Sequence, residues 1–517
     1  MSWVKRLTWL LPILVFIALG ALYHFGYPNI NDGDSFYHIR HAEIYRTNGL
    51  LNSSLPWASA SVIKTYASDI WYGFHILLIP FTYAANLVTG IRWAGLFLTA
   101  FSLSIFYLVI KKLGVRFPFF WSLLLTFSSA DMLFRLAMMR PHILTFAFSI
   151  LLLYALVEQK IWLAALAGFA IAWIHLSLSW VIPIIAAVII IFQFLHNQKI
   201  NWWSYGGLIA ASLLGWLARP NPLGALKLAY IQVVELMLVK QARIPLRFGA
   251  ELGPVDWSIF TGQLLPLSLL LLTAAGLFMW LLVTKKIWAV PITKRIVLWT
   301  TLALSTGFFI LSIGVARRSI DLWTAFTIIF IGLVCTEFIT LFKKQALLIG
   351  SLVISLGVVA LSTNYYIANL YRLQAIPQTK FQAVSGWLQK NTKPQDVVVN
   401  THWDNFGPLF LWNSNNYYIN GMDPIFAYTY SEKLYWEIFF PETDQLVIVD
   451  NQIFTCPQFL CKGEGFVNFH NVLKTDFNAK YILVESRRNP LLKAQLDKMR
   501  SFKDVFHTEG ETLYQIL

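Results

Sequence analysis

The strongest constraint on this chain is a succession of apolar segments, each about long enough to cross a bilayer, joined by short loops rich in lysine and arginine. A membrane-spanning helix needs about 20 apolar residues. Such segments fall near 8–27, 93–110, 117–131, 141–157, 161–176, 178–195, 202–218, 261–284, 296–315, 320–342 and 345–366, with one further apolar stretch at 70–88. The 517 residues are 57% hydrophobic and 13% charged, against about 25% charged in a typical soluble domain. That excludes a water-soluble globular protein, and the same apolar excess excludes intrinsic disorder. Three cysteines, Cys335, Cys456 and Cys461, are too few for a disulfide scaffold or a four-thiolate zinc site.

The loops set the topology, because lysine and arginine stay on the cytoplasmic side. Lys5, Arg6, Lys111, Lys112, Arg116, Lys160, Lys199, Lys285, Lys286, Lys294, Arg295, Lys343 and Lys344 share one side only if 70–88 does not cross. The expectation is therefore a polytopic α-helical membrane protein with about 11 crossings and 70–88 lying against the outer leaflet. Its N-terminus is cytoplasmic, and the first span is retained because it has no small-residue cleavage site. Residues 368–517 carry 14 Lys and Arg against 15 Asp and Glu, so the net charge of +14 belongs to 1–367. It reflects cytoplasmic loops and calls for no nucleic-acid partner. A membrane domain, 1–367, thus precedes an extracytoplasmic α/β domain, 368–517. The outer face of the membrane domain collects a first loop at 28–92, a turn at 131–140, a long loop at 219–260 and the pair Arg317, Arg318. Ionisable groups at membrane depth are costly and mark a site.

Residues 31–46 read NDGDSFYHIRHAEIYR. Asp32 and Asp34 flank a glycine, so two carboxylates can face a common point, as a divalent cation such as Mg or Mn or a developing positive charge requires. Equally, Asp34 can cap a helix that starts at Ser35. The run Asp34-Ser35-Phe36-Tyr37-His38-Ile39-Arg40 resembles the first external loop of GT-C glycosyltransferases, especially the catalytic subunits of oligosaccharyltransferases. The resemblance implies two juxtamembrane helices after the first span, with 35–48 and 70–88 as their counterparts.

Three other outer positions fit the same pattern. In SSADMLFRLAMMRPHIL, Asp131 takes the place of a second acidic motif, although the partner acid is absent, Met132 and Leu133 following it. The resemblance makes Asp34 and Asp131 the candidate metal ligands, while an i,i+4 pair of Asp131 with Arg135 is the structural alternative. The loop 219–260 opens with the turn signal Asn221-Pro222-Leu223-Gly224 and closes with Glu251, as the mobile external loop of many GT-C proteins does. Its basic stretch, Lys227, Lys240, Arg243 and Arg247, also suits an interfacial helix drawn to anionic lipid. Arg317 and Arg318 suit a phosphate, since guanidinium offers bidentate donors, or simply snorkel to headgroups.

In the tail, a helix is expected at 381–390 and strands at 397–400, 417–420, 446–449 and 481–485. Trp403-Asp404 and Phe406-Gly407 resemble the oligosaccharyltransferase signature that contacts the acceptor, with His402 and Asn405 departing from it. Asp423 follows in a turn, and Cys456 and Cys461 can form a small-loop disulfide in an oxidising compartment. The resemblance implies an enzyme moving a sugar or glycan, with inversion, from a polyprenyl-phosphate donor to a protein or lipid acceptor outside the cytoplasm. Its catalytic acids are Asp34, supported by Asp32, Asp131 and Glu251; Arg317 and Arg318 hold the donor phosphate; Trp403 and Asp404 meet the acceptor. These groups are expected in one compartment. The rivals are a lipid or solute transporter or flippase, which would show repeated halves and midplane charges, and a non-enzymatic membrane assembly protein.

Overall fold

A computed structural model describes residues 3–244, 246–342, 375–444 and 469–517, together with scattered positions between 351 and 365. Cys456, Cys461, the strand expected at 446–449 and more than half of the apolar segment 345–366 lie outside the described residues. The chain divides into two compact units: 1–31, 91–218 and 248–375 form the first, and 32–90, 219–247 and 376–517 the second.

The first unit is helical throughout, and each apolar segment expected up to residue 342 forms a helix in it. Among the described residues of the whole chain, six helices are long and apolar enough to cross a membrane: Leu87–Lys112, Leu176–Leu195, Pro222–Gln241, Trp257–Val283, Ile292–Gly314 and Arg317–Thr340. The Arg317–Thr340 segment is 94% buried, so it is the central helix of the first unit. Its Trp323 and Phe326 are fully buried with Phe278 and Phe308, and Phe308 stacks on Phe326 at 5.8 Å. Such rings give the close packing that hydrophobic burial alone does not supply between helices in lipid. The segment 117–131 is not one straight span: Pro118–Phe127 turns through 98° into Ala130–Leu136. Ser129 causes the break, adopting an extended backbone and accepting from the Met132 amide as a new helix cap.

The second unit combines three separate stretches of chain. Its five-stranded sheet has the order β2-β1-β3-β5-β4, with β1 Val397–Asn400, β2 Tyr417–Tyr418, β3 Ala479–Glu485, β4 Phe502–His507 and β5 Glu511–Ile516. β1 runs parallel to β2 and β3, while β5 is antiparallel to β3 and β4. The valines of β1 are buried on both faces, as a central parallel strand requires; the edge strand β4 exposes Lys503, Asp504 and His507. The other edge is covered by the first external loop, where Trp57 O accepts from the Tyr418 amide at 2.7 Å and the Ser59 amide donates to Tyr418 O at 2.7 Å. β4 and β5 are additions to the strands expected from the sequence.

One expectation needs revision here, the open loop after Arg219, while 70–88 is consistent with a stretch that does not cross. Segment 70–88 forms only Tyr72–Leu78 and a 3-10 turn, Ile79–Tyr83, about 20 Å at ~1.5–2 Å per residue. That falls short of the ~30 Å hydrocarbon thickness. The stretch after Arg219 is a helix, not an open loop: Pro222–Tyr230 runs through a π-helical turn, Ile231–Glu235, into Leu236–Gln241. The Asn-Pro-x-Gly signal is its start. Asn221, at φ +44°, accepts from the Gly224 amide at 2.9 Å, and Pro222 occupies the first helical position. Asn221 Nδ2 also donates to Tyr66 O at 2.6 Å. A Cβ on Gly224 would stand 2.7 Å from that carbonyl, so only glycine fits.

Candidate functional site

At one end of the first unit the helices break, and the breaks carry the charges. Asp131 follows the Ser129 cap, Arg135 ends the same short helix, Arg140 precedes Pro141, Glu251 lies in a 3-10 turn, and Arg317, Arg318 and Asp321 open the central helix. The Asp131 carboxylate accepts from Arg317 Nε at 2.9 Å and Nη2 at 2.7 Å, a fork-to-fork pair of the strong bidentate kind. Arg135 donates from Nε to Asp321 and from Nη1 to Glu251 at 3.1 Å. Glu251 Oε1 accepts from both Arg140 Nη1 at 3.1 Å and Arg318 Nη2 at 2.9 Å. Backbone bonds lock the frame: Arg317 N donates to Gly253 O at 2.7 Å, and Val255 N to Ser312 O at 3.0 Å.

The i,i+4 pairing of Asp131 with Arg135 is thus replaced by partners from distant parts of the chain. Both Asp131 oxygens are taken by Arg317, which does not fit a cation ligand; no step below is routed through a metal. Burial acts to raise the Glu251 carboxyl, but Arg140, Arg318 and Arg135 hold it well below the usual range. Four guanidiniums face three carboxylates, so the cluster keeps one net positive charge. The side chains of Arg135, Asp131 and Asp321 are 7–8% exposed, whereas Arg140 and Arg318 are 20% and 27% exposed. The lysine-rich loops, such as 111–116 and 285–295, lie at the other ends of the same helices.

In the second unit Asp32, Asp34 and the helix Asp34–Asn48 form another polar centre. Asp32 is buried, and its carboxylate accepts from the Ser35 amide at 3.1 Å and the Ser35 hydroxyl at 2.6 Å. The side-chain bond to the start of the helix that was expected of Asp34 is therefore made by Asp32. Asp34 stands half-buried in the first helical turn, where the helix dipole favours its charge. The next two turns present Tyr37, His38 and His41 to Asp69 and His75. His38 Nδ1 is 2.8 Å from His75 Nε2, His75 Nδ1 is 2.6 Å from Asp69 Oδ2, and Tyr37 Oη is 2.9 Å from His41 Nδ1. Burial, then His75, pushes His41 down to about 3. Burial opposes ionisation of Asp69, yet His75 and His41 hold its carboxyl below the usual range.

The C-terminal motif meets this centre. Gly407, in the helix Phe406–Trp412, lies so close to the Asp32-Gly33-Asp34 turn that a Cβ would be 2.2 Å from Gly33 O. Gly407→Ala is expected to push that turn away. Overpacking of this kind costs ~1–3 kcal/mol, so a thermal melt should show Gly407→Ala less stable than wild type. Trp403 and Asp404 lie in a 3-10 turn just before that helix, with Asp404 exposed and paired to Arg488 Nη1 at 3.0 Å. Burial works against it, but Arg488 keeps the Asp404 carboxyl below its ordinary value. Asp423 caps Pro424–Tyr430 by accepting from the Ile425 amide.

Three residues of these two centres were not singled out in the sequence: Asp69, His75 and Asp321. An acid in the first turn of the largely apolar Ile320–Phe342 helix, whose other charged residue is Glu337, was the available signal for Asp321. Asp69 and His75 sit at the edge of and within a stretch read only for its apolarity.

No family model matches the sequence, and no curated protein matches it. Two solved structures are similar in fold. ArnT from Cupriavidus metallidurans in the apo state aligns with a TM-score of 0.53 at 10% identity, covering 97% of each chain. The same protein bound to undecaprenyl phosphate aligns with a TM-score of 0.51, again at 10% identity and 97% coverage of each chain. The chain therefore shares the ArnT fold along nearly its whole length.

Proposed function

We propose that this chain is a membrane glycosyltransferase that takes a sugar or glycan from a polyprenyl-phosphate donor. The observation that carries the reading is the cationic cluster of the first unit, in which Arg318 and Arg140 share one carboxylate oxygen of Glu251 and are the more exposed guanidiniums. Arg317, committed to Asp131, holds the frame; Arg318 and Arg140 exchange part of their contact with Glu251 for the donor phosphate. The undecaprenyl phosphate bound by ArnT supports a carrier of this kind.

The sugar C1–O(phosphate) bond breaks as a bond from the acceptor oxygen to C1 forms, with inversion. The acceptor proton passes to a carboxylate, for which Asp34 is the candidate, and the carrier leaves as its phosphate. Positive charge grows on the ring and negative charge on the leaving group, so the guanidiniums stabilise the departing oxyanion. The lysine-rich helix ends suit the cytoplasmic side by the positive-inside rule, which supports chemistry on the outer side. An oligosaccharyltransferase-like branch, with a protein or lipid acceptor, rests on Trp403, Asp404 and the Phe406-Gly407 step. Binding of undecaprenyl phosphate to the purified protein tests the donor side. Loss of a charged hydrogen bond costs ~1.5–3 kcal/mol, so Arg318→Gln should weaken binding by about 10–150-fold. Equal affinity in wild type and the Arg140→Gln, Arg318→Gln double variant removes the phosphate assignment.

A further inference from the structure

Among the described residues, one group of three side chains, His41, Asp69 and His75, places a ligand atom of each within 4.8 Å of the others. All three are buried, at 1%, 4% and 0% exposure. His41 Nε2 has no hydrogen-bond partner although it is enclosed. Leaving an imidazole nitrogen unpaired in a dry interior is unfavourable, and that calls for an occupant.

The remaining atoms of the three side chains are held as a metal's outer ligands would hold them. His41 Nδ1 meets Tyr37 Oη at 2.9 Å, and His75 Nε2 meets His38 Nδ1 at 2.8 Å. Asp69 Oδ1 accepts from the Trp71 amide at 2.8 Å and Oδ2 from Tyr45 Oη at 3.0 Å. Arg219 donates to the Asp69 backbone carbonyl at 3.1 Å. Ligating histidines characteristically anchor their second ring nitrogen in this way, which fixes the ring and the tautomer. Two imidazoles and one carboxylate form a set suited to zinc with one coordination position left for water.

We propose that His41 Nε2, His75 Nδ1 and an Asp69 carboxylate oxygen bind one zinc ion. Ligation replaces the present 2.6 Å His75–Asp69 hydrogen bond, moving that pair apart and drawing wider pairs in from up to 4.8 Å, toward the roughly 3.3 Å spacing that ~2 Å tetrahedral zinc bonds impose. The ion ties the helix Asp34–Asn48 to Tyr72–Leu78. It thereby fixes the helix whose first turn carries Asp34. No other residue named as catalytic takes part.

Tag-free full-length protein, purified in detergent and dialysed against a metal-free buffer, is titrated with zinc alone. One equivalent should be retained per chain, and zinc should raise the thermal midpoint. His41→Gln should abolish both effects. Tyr37→Phe, which touches only the second shell, should weaken zinc by ~10–100-fold. Cobalt in place of zinc should give the strong visible bands of a four-coordinate site in wild type and not in His41→Gln. Zinc content and midpoint equal in wild type and His41→Gln would overturn the proposal, as would a wild-type chain that retains no zinc. Where His41→Gln does not fold, the Tyr37→Phe affinity and the wild-type cobalt spectrum decide by the same outcomes.

Discussion

Asp34→Asn is expected to lower sugar transfer by ~100–10,000-fold while the protein folds and binds the carrier as before. A positioned general base contributes about that factor, equivalent to ~3–5 kcal/mol of barrier. The contrast with its neighbour makes the test sharp. Asp32 is buried and committed to Ser35 through both oxygens, so Asp32→Asn, which can still cap, should cost about 1 kcal/mol or less of stability and little turnover. Asp34 stands half-buried in the first helical turn, two residues after that cap. Single-turnover transfer from a polyprenyl-phosphate sugar, with thermal melts of both variants, separates the two aspartates. A large loss of turnover confined to Asp32→Asn would reverse their assignment.

Arg135→Met is expected to destabilise the protein by about 3–5 kcal/mol, the usual cost of removing one partner of a buried ion pair. Arg135 bonds two carboxylates, Asp321 and Glu251, and its side chain and that of Asp321 are each 8% exposed. Methionine fills similar volume but leaves Asp321 buried beside it. Glu251 retains Arg140 and Arg318, so the loss falls chiefly on Asp321. Combining Arg135→Met with Asp321→Leu removes both charges and should recover most of that stability, since apolar replacement of a whole buried pair is often neutral. Denaturant unfolding in detergent measures both variants. No recovery in the pair would mean that Asp321 is not the principal partner.

The apolar segments, the breaks between them and most of the strands were legible because they depend on local pattern: length, proline and glycine positions, and runs of valine. The charges named in the sequence, Asp34, Asp131, Glu251, Arg317 and Arg318, stand where helices begin or break. Their partners were not legible. Asp131 binds Arg317 across 186 residues of chain, and Arg135 binds Asp321 across the same separation; a local rule such as i,i+4 cannot see either pair. The helix Pro222–Gln241 was legible only through its basic residues, which suit an interfacial helix, while Pro222 and Gly224 signal a turn that Asn221 uses to start that helix. His75 passed unnoticed because its stretch was used only to decide whether the chain crosses the membrane.

The central claim is sugar transfer from a lipid phosphate, and turnover tests it most directly. Purified protein is incubated with polyprenyl-phosphate sugars and candidate acceptors, and the lipid products are followed by mass spectrometry. Release of free polyprenyl phosphate matched by glycosylated acceptor, lost in Asp34→Asn, is the expected result. Donor that stays intact with every sugar and acceptor offered, or release that proceeds equally in Asp34→Asn, contradicts it.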